Sequence, residues 1–267
     1  MMTIKTPQAD SGPAISVLNR AFQVLNVVGE SGRPLSLAEI SRDTGLPKTT
    51  VHRVLQQMLE LGAVERDGDM YRIGIHMFVL SSVVPEMVLR GVALQRLIEL
   101  QRHTGHTLHL ATMRNDRVVY LEKIANIHGA DIPTTVGGSF SAHATGVGKA
   151  MLAYLPIPDL QRVLDGPLDP ITSRTITSPS ELVRCLEQVR KVGLAFDDCE
   201  AATAVRCIAH PILLMGEAIA AVSISFPRSA VLEKRAIAAL RETCTSISGD
   251  MNRRIRSGAQ PQLRKAV

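Results

Sequence analysis

A short run of polar side chains after Gly45 carries the residue types that contact DNA. Its members are Lys48, Thr49, Thr50, His52 and Arg53. Threonine hydroxyls can reach phosphates or a thymine methyl group, arginine can donate two hydrogen bonds to guanine, and lysine and histidine can contact phosphates or base edges. The run therefore predicts a DNA-contacting surface. The alternative interpretation is the polar outer face of an ordinary small helical subdomain.

The residues before this run predict two helices that would help to position it. Apolar residues at helical spacing, including Leu18 and Phe22, predict a first helix over residues 15–29. Ser36, followed by Glu39 three positions later, has the pattern of a capping box, which begins a second and shorter helix.

The residues around and after the run predict a turn, a third helix and a hairpin. Gly45 suits a tight turn, and Gly62 is placed to end a helix whose inward residues include Leu61. Residues 64–66 and 70–73 alternate around an Asp-Gly-Asp sequence, which indicates a β-hairpin. Helix, turn, helix and hairpin follow one another in the order of a winged helix-turn-helix, which places one helix in the major groove of DNA.

Beyond the hairpin, the pattern changes to mixed helices and strands. Residues 75–103 are predicted to be helical with a break at Pro85. Strands are predicted over residues 107–113, 118–123, 205–214 and 218–226, and helices over residues 146–155, 180–192 (with Ser180 as cap) and 231–255. This order indicates an α+β domain.

Overall charge does not by itself argue for DNA binding. The chain has a net charge of +5, but residues 250–267 hold five Lys/Arg against one acid, and residues 1–76 hold eight of each sign. The helix-turn-helix pattern must therefore support that prediction alone. No apolar run reaches the roughly 18 residues of a membrane span, and the N-terminus has no apolar signal region. We therefore expect a cytoplasmic protein with no membrane partner.

The residue types that would support metal binding or catalysis lack the necessary arrangement. The four cysteines show no metal-ligand spacing and are expected to be reduced thiols. His103, His106 and His109 recur every three positions, but a change from helix to strand near Gly105 would separate their rings. The sequence contains no nucleophile elbow and no activated-cysteine motif. We predict no metal site, no cofactor and no enzyme activity.

Residues 143–150 contain Gly-Val-Gly-Lys, which looks like part of a phosphate-binding loop. A Walker A motif would need glycine at position 143 and Ser or Thr at position 150, where this chain has His143 and Ala150, so nucleotide binding is not predicted. Gly146 and Val147 instead begin a predicted helix, whose free N–H groups and dipole favour a small anion such as a carboxylate. The alternative is close helix–sheet packing through small residues.

Together these motifs resemble the IclR family of bacterial transcription regulators over nearly the whole chain. In the first half they are RAF at residues 20–22, LSLAEI at 35–40, GLPKTTVHR at 45–53 and GAVER at 62–66. In the second half they are VYLEK at 119–123, HATGVGKA at 143–150, TIT at 175–177, VRCIA at 205–209 and AVSIS at 221–225. The resemblance implies a winged helix-turn-helix joined by a linker helix to a GAF-like effector-binding domain, in dimers or tetramers.

The resemblance also implies that Asp197, Cys207, Ser223 and Ser225 line an effector pocket. They offer a carboxylate acceptor, a weak thiol donor and two hydroxyls, which suit a small polar ligand. Asp197 would repel a ligand carboxylate, so we expect it to accept a hydrogen bond from a ligand hydroxyl or N–H. Structural alternatives remain open: Cys207 as a small core residue, the serines as alternating residues on one sheet face, and Asp197 as the cap of a turn.

The predicted organisation has five parts. They are a disordered arm at residues 1–13, a winged helix-turn-helix domain at 14–74, linker and dimerisation helices at 75–104, a GAF-like effector-binding domain at 105–255, and a basic disordered tail at 256–267.

The sequence thus predicts a ligand-responsive DNA-binding regulator of transcription, activator or repressor, controlled by a small organic acid of a catabolic pathway. Arg20 on the first helix and Arg66 on the wing complete the predicted DNA-contacting set. Two copies would bind half-sites of a pseudo-palindromic double-stranded operator, about one helical turn (~34 Å) apart. The alternative is a ligand-sensing protein-interaction module without specific DNA binding.

Overall fold

The computed structural model describes residues 16–126, 132, 134–231 and 233–257. The chain divides between residues 84 and 85 into two compact units. The predicted arm at residues 1–13 and residues 258–267 of the predicted tail lie outside the described residues. The segment predicted to be a linker is divided between the two units.

The first unit is a small helical domain with a three-stranded antiparallel sheet. Its helices are α1 (Val17–Glu30), α2 (Leu37–Thr44), α3 (Lys48–Glu60) and α4 (Ile75–Ser82). Its strands are β1 (Leu35–Ser36), β2 (Val64–Asp67) and β3 (Met70–Ile73), in the order β1-β3-β2. This is the winged helix-turn-helix that the sequence predicted, with β1 as an added short strand.

Local hydrogen bonds explain where α2 begins and ends. The Ser36 hydroxyl accepts a hydrogen bond from the Glu39 amide at 3.3 Å, and the Ser36 amide donates to the Glu39 carboxylate at 2.8 Å. The predicted capping box is therefore present. Gly45 ends the helix with φ +71°, a left-handed conformation that favours glycine. These two signals set the turn that leads into α3.

The core of the first unit is formed by one face each of α1, α2 and α3 together with the three-stranded sheet, and it differs from the prediction at Leu61. Val24 and Val28 of α1 are buried, whereas Leu18 and Phe22 are 70% and 59% exposed. α1 carries two apolar stripes, and its helical period cannot tell which one faces the core. Leu61 was predicted to face inward and is 71% exposed, because α3 ends at residue 60 and the chain turns away there.

The second unit contains a six-stranded antiparallel sheet and five α-helices within its described residues. The helices are α5 (Pro85–Thr104), α6 (Gly146–Leu152), α7 (Ile157–Asp165), α8 (Pro179–Val192) and α9 (Lys234–Arg256). The strands are β4 (Thr107–Arg114), β5 (Arg117–Ile124), β6 (Ser139–Ser141), β7 (Ala195–Asp198), β8 (Val205–Leu214) and β9 (Glu217–Pro227).

The sheet has the order β6-β5-β4-β9-β8-β7 and is covered on both faces. One face packs against α5 and α9 through an aliphatic core that includes Leu97, Ile224 and Leu240. The other face packs against α6, α7 and α8 through a second core that includes Met151 and Leu186. Because successive side chains of a strand point to opposite faces, each central strand contributes to both cores. This is the mixed helix-and-sheet architecture that the sequence predicted.

Two predicted helices begin at different residues. Helix α8 begins at Pro179, so Ser178 rather than Ser180 occupies the N-cap position. Proline suits the first turn because its missing N–H is not needed there. Helix α9 begins at Lys234 instead of residue 231.

Among the α-helices and strands of the second unit, three short ones were not predicted. The helix expected over residues 146–155 ends at Leu152, and α7 follows as a separate helix. Strands β6 and β7 contain three and four residues, too few for a clear alternating pattern.

Within the described residues, no single helix is both long and apolar enough to cross a membrane. The bent pair α4 and α5 meets that criterion when the two helices are taken together, by length and composition alone.

Candidate DNA-binding surface and effector pocket

Helix α3 presents the predicted DNA-contacting residues along its outer side. Val51, Val54, Leu55 and Met58 are buried against the rest of the first unit. This leaves Lys48, Thr49, His52 and Arg53 exposed, with Thr50 half-buried. The structure therefore brings these five side chains together on one helix. None of them forms a side-chain hydrogen bond or ion pair with another described residue, so all five are available to a ligand outside the chain.

The wing holds Arg66 in contacts of its own. Its guanidinium donates to the Gly68 carbonyl at 2.6 Å, pairs with Asp69 at 2.9 Å and lies 5.6 Å from the centre of the Tyr71 ring. The side chain is still exposed, and binding a phosphate would require it to share or leave these partners. Arg72 on the facing strand is also exposed and pairs with Glu65 at 2.8 Å.

Arg20 lies on α1 rather than on α3 or the wing. It is half-buried and stands one helical turn before the core residue Val24. No hydrogen bond or ion pair joins it to the exposed residues of α3 within the part of the chain that the structure describes.

A cavity of about 80 Å³ lies in the second unit between the sheet and the start of α6. All six residues predicted for the effector pocket line it, namely Gly146, Val147, Asp197, Cys207, Ser223 and Ser225. Each of the six strands contributes at least one lining residue, so the cavity depends on the whole sheet. Strand register explains the grouping, because Asp197 pairs with Cys207, and Cys207 pairs with Ser225, on adjacent strands.

Asp197 is the acidic group of the cavity and is only 3% exposed. One carboxylate oxygen accepts hydrogen bonds from the amides of Glu200 at 2.7 Å and Ala201 at 3.4 Å. Asp197 therefore caps a turn, as the structural alternative proposed, and lines the cavity as well. Burial raises the pKa of Asp197 to about 6, against the opposing effects of the Glu200 amide and the Lys149 charge.

A chain of hydrogen bonds crosses the floor of the cavity. The His109 ring contacts the Thr134 hydroxyl at 2.7 Å on Nε2 and the Ser225 hydroxyl at 3.3 Å on Nδ1. The Ser225 hydroxyl also lies 3.2 Å from the Cys207 sulfur. Burial, with the nearby charge of Lys123, lowers the pKa of His109 to about 3, so this ring is neutral near pH 7. Burial raises the pKa of the Cys207 thiol, which keeps it protonated.

The start of α6 offers two unpaired backbone donors to the cavity. Thr145 caps the helix by accepting from the Gly148 amide at 3.1 Å. The N–H groups of Gly146 and Val147 have no acceptor among the described residues, although both residues are buried. A Cβ at Gly148 would lie 2.1 Å from the Ala142 carbonyl oxygen, so this glycine is needed for packing. That contact explains why the second glycine of the Gly-Val-Gly sequence is a glycine, and phosphate binding is not needed to account for it.

A buried ion pair supports the helix behind these donors. Lys149 of α6 pairs with Glu200, and their side chains are 1% and 8% exposed. The second carboxylate oxygen of Glu200 is buried without a hydrogen-bond partner among the described residues. The same Glu200 donates its amide to Asp197. The pair therefore joins α6 to the turn that holds Asp197.

Sequence reasoning missed several residues that line the cavity, among them His109, Tyr120, Thr134 and Phe140. His109 was considered only as a metal ligand together with His103 and His106. In the structure His103 is exposed at the end of α5, and the His106 ring lies 6.1 Å from Phe226. The described residues contain no group of three or more His, Cys, Asp or Glu side chains that could hold a metal ion. The alternation of apolar and polar residues along β4 and β5 was the sequence signal that could have shown which residues share a face with the pocket.

Two domains of known protein families match successive segments of the chain. Residues 17–68 match the IclR helix-turn-helix domain, and residues 81–249 match the C-terminal domain of the bacterial transcriptional regulator IclR. The transcriptional regulator KdgR of Escherichia coli (strain K12) is 32% identical over 247 residues, which cover 89% of this chain and 93% of KdgR. The regulator BhcR of Paracoccus denitrificans is 37% identical over 227 residues, covering 82% and 79%.

Solved structures share the same architecture. A crystal structure of an IclR homologue from Microbacterium hydrocarbonoxydans complexed with 4-hydroxybenzoate is similar with a TM-score of 0.78 at 27% identity, covering 88% of this chain and 99% of that one. The IclR protein of Thermotoga maritima is similar with a TM-score of 0.74 at 27% identity, covering 88% and 98%. With its helix-turn-helix, its effector domain and these relatives, the chain belongs to the IclR family of ligand-responsive transcription regulators.

Proposed function

We propose that this regulator binds a pseudo-palindromic operator through α3 and is controlled by a small organic acid bound in the cavity beside α6. The observation that supports the proposal most strongly is the cavity itself. The residues predicted to bind an effector come from four different elements and line one space, together with two backbone donors that lack acceptors among the described residues. Buried N–H groups are rarely left unpaired, so a ligand or water is expected to accept from them.

The outer side of α3 supports operator binding. Arg53 is exposed and unpaired within the described residues, and its guanidinium suits the O6 and N7 acceptors of guanine. Lys48 at the helix start suits a phosphate. We place the protein in the cytoplasm, since a regulator of bacterial transcription acts on DNA there. The second candidate, a protein-interaction module, would need a partner for this polar surface instead.

Exposed apolar side chains in the first unit support pairing of two copies. Leu18 and Phe22 of α1, together with Ile75, Phe78 and Val79 of α4, are more than half exposed. Ile75, Phe78 and Val79 follow one another at i, i+3 and i+4 and therefore share one face of α4, and an exposed apolar face of this kind is typical of an interaction site. A dimer formed through it would present two α3 helices to half-sites about one turn of DNA (~34 Å) apart. A tetramer would join two such dimers.

The cavity supports a small acid as the effector. The unpaired amides of Gly146 and Val147 suit a carboxylate, and the IclR homologue of Microbacterium hydrocarbonoxydans was crystallised with a carboxylic acid, 4-hydroxybenzoate. One buried water needs about 10–15 Å³ of such space, so 80 Å³ corresponds to a ligand of on the order of five to eight non-hydrogen atoms. Binding would alter operator affinity by ~1–3 kcal/mol, the usual allosteric scale. We infer that the cavity regulates and does not catalyse.

A gel-shift assay with the DNA upstream of the gene that encodes this chain tests the proposal. We expect a specific complex that resists competition by unrelated DNA, and a change in its affinity when small carboxylic acids are added. A screen of these acids by thermal shift identifies ligands, because binding stabilises the folded state by mass action. Equal affinity for operator and unrelated DNA at physiological salt would contradict operator recognition and favour the interaction module. Turnover of a bound acid would indicate an enzyme.

A further inference from the structure

The hydroxyl group of Tyr120, a residue that lines the cavity, forms no hydrogen bond with a described residue that would explain its role in the fold. Tyr120 of β5 lines the cavity and is only 7% exposed. Its hydroxyl has no hydrogen-bond partner among the described residues, yet it is not one of the atoms sealed from solvent. Buried tyrosine hydroxyls usually find a partner. The hydroxyl is therefore open to the cavity and available to a ligand.

The surroundings hold the Tyr120 ring in place and keep its hydroxyl protonated. The ring lies 5.0 Å from the His109 ring and 6.2 Å from the Phe140 ring, between centroids. Burial, with smaller effects from Cys207 and Asp197, raises the pKa of the phenol above its ordinary value. The hydroxyl is thus a fixed hydrogen-bond donor in the cavity that Asp197 also lines.

The unpaired groups of the cavity define what a ligand must supply. Tyr120 offers a donor, and the Ser223 hydroxyl is a second one without a partner among the described residues. Asp197 offers an acceptor, because only one of its oxygens is occupied by backbone amides. A ligand hydroxyl group can pair with the donor and with the acceptor, since its oxygen accepts a hydrogen bond from Tyr120 while its O–H donates one to Asp197. A ligand with only a carboxylate would leave Asp197 facing another negative charge.

We propose that Tyr120 is a specificity-determining residue that, with Asp197, selects small hydroxy acids over acids without the hydroxyl. This inference rests on the proposed acid effector and adds the second group that recognises it. The Tyr120 hydroxyl donates to the hydroxyl oxygen of the ligand, and the ligand donates to Asp197. Leaving buried polar groups unpaired is costly, so an analogue without the hydroxyl binds more weakly.

Calorimetric titration of the full chain with matched acids tests this inference. The pairs are glycolate and acetate, lactate and propionate, and 3-hydroxybutyrate and butyrate. We expect at least one hydroxy acid to bind the wild-type protein about tenfold more tightly than its partner. Tyr120→Phe keeps the ring and removes only the hydroxyl. It should reduce that preference to about two-fold or less, mainly by weakening the hydroxy acid.

Tyr154→Phe is the matched control, because it removes a phenol of the same unit that does not line the cavity, and it should keep the tenfold preference. If Tyr120→Phe does not fold, Tyr120→Met removes the same hydroxyl and is interpreted in the same way. Acids that bind without any preference for the hydroxyl, or a preference that survives in both Tyr120 variants, would overturn this inference alone. Binding of no acid to the wild-type protein would overturn the acid effector and this inference together.

Discussion

The two sites of this protein are built in opposite ways. The residues of α3 that we propose to contact DNA lie within six consecutive positions, and their side chains are mostly exposed and unpaired within the described residues. The cavity is lined by residues from 109 to 225 that six strands and a helix bring together, and most of them are buried. One helix is therefore enough to present the first site, whereas the second exists only in the folded unit.

This difference determines what a substitution should change. An exposed side chain without partners contributes little to folding, so its removal should alter binding and leave stability unchanged. Removal of a buried charged side chain should alter stability as well as binding, because it leaves a partner unpaired in a medium of low dielectric. Four experiments test this contrast, and we describe them in order of expected effect.

The largest effect is expected at the buried ion pair. Lys149→Met should lower the free energy of unfolding by about 3–5 kcal/mol, because Glu200 would keep a buried charge without its partner. Urea denaturation measures the change. Arg162→Met is the control, since its pair with Asp159 is formed by a 61% exposed arginine and should be worth less than about 1 kcal/mol. Similar losses in the two variants would show that the second unit does not depend on buried charge.

The next effect is expected at the DNA-contacting surface. Arg53→Ala should weaken operator binding by about 1–3 kcal/mol and relax the preference at one base pair, because a bidentate contact to guanine is lost. The free energy of unfolding should change by less than about 0.5 kcal/mol. Gel shift and urea denaturation measure the two quantities. Arg184→Ala, an exposed arginine of α8, is the control. Unchanged affinity and base preference would place α3 outside the major groove.

A smaller effect on stability is expected at Asp197, and it depends on pH. Its folded pKa is raised from 3.8 to about 6, so the folded state binds this proton more tightly than the unfolded chain. The stability that the group contributes is fully present below about pH 3.8 and is lost as pH rises through about 6. Asp197→Asn should therefore stabilise the unliganded protein by on the order of 1–2 kcal/mol at pH 8.

The gain from Asp197→Asn should disappear near pH 4, where the wild-type carboxyl is protonated. Thermal unfolding of both proteins between pH 4 and pH 8 measures this trend. Asp159→Asn, on the surface helix α7, is a control that should not reproduce it. A gain that is the same at every pH would show that burial of the charge is not its cause.

The smallest effect is expected for Lys48. Lys48→Ala should weaken binding to all DNA sequences about equally and reduce the slope of log affinity against log salt by about 1, because one phosphate contact is lost. Titrations at several salt concentrations, with operator and unrelated DNA, measure the slope. A loss confined to the operator would assign Lys48 to a base edge instead.

The sequence by itself determined the elements whose signals are local. The capping box at Ser36, the left-handed Gly45 and the hairpin after Gly62 involve residues a few positions apart, so their hydrogen bonds follow from the order of residues. The exposed run on α3 follows from the same helical period. For this reason the exposed side of α3 could be predicted from the sequence, whereas the partners that hold Arg66 could not.

Only the tertiary structure decided the parts that depend on which distant segments meet. Helical period could not tell which apolar stripe of α1 faces the core, where Val24 and Val28 are buried and Phe22 is exposed. Alternation along β4 and β5 was visible, but no local signal showed that His109 and Tyr120 would face the same space as Asp197. The pairing of Lys149 with Glu200, 51 positions away, likewise depends on the packing of α6 against the sheet. Contacts between distant segments form when apolar surfaces are buried together, and the order of residues along the chain does not specify them locally.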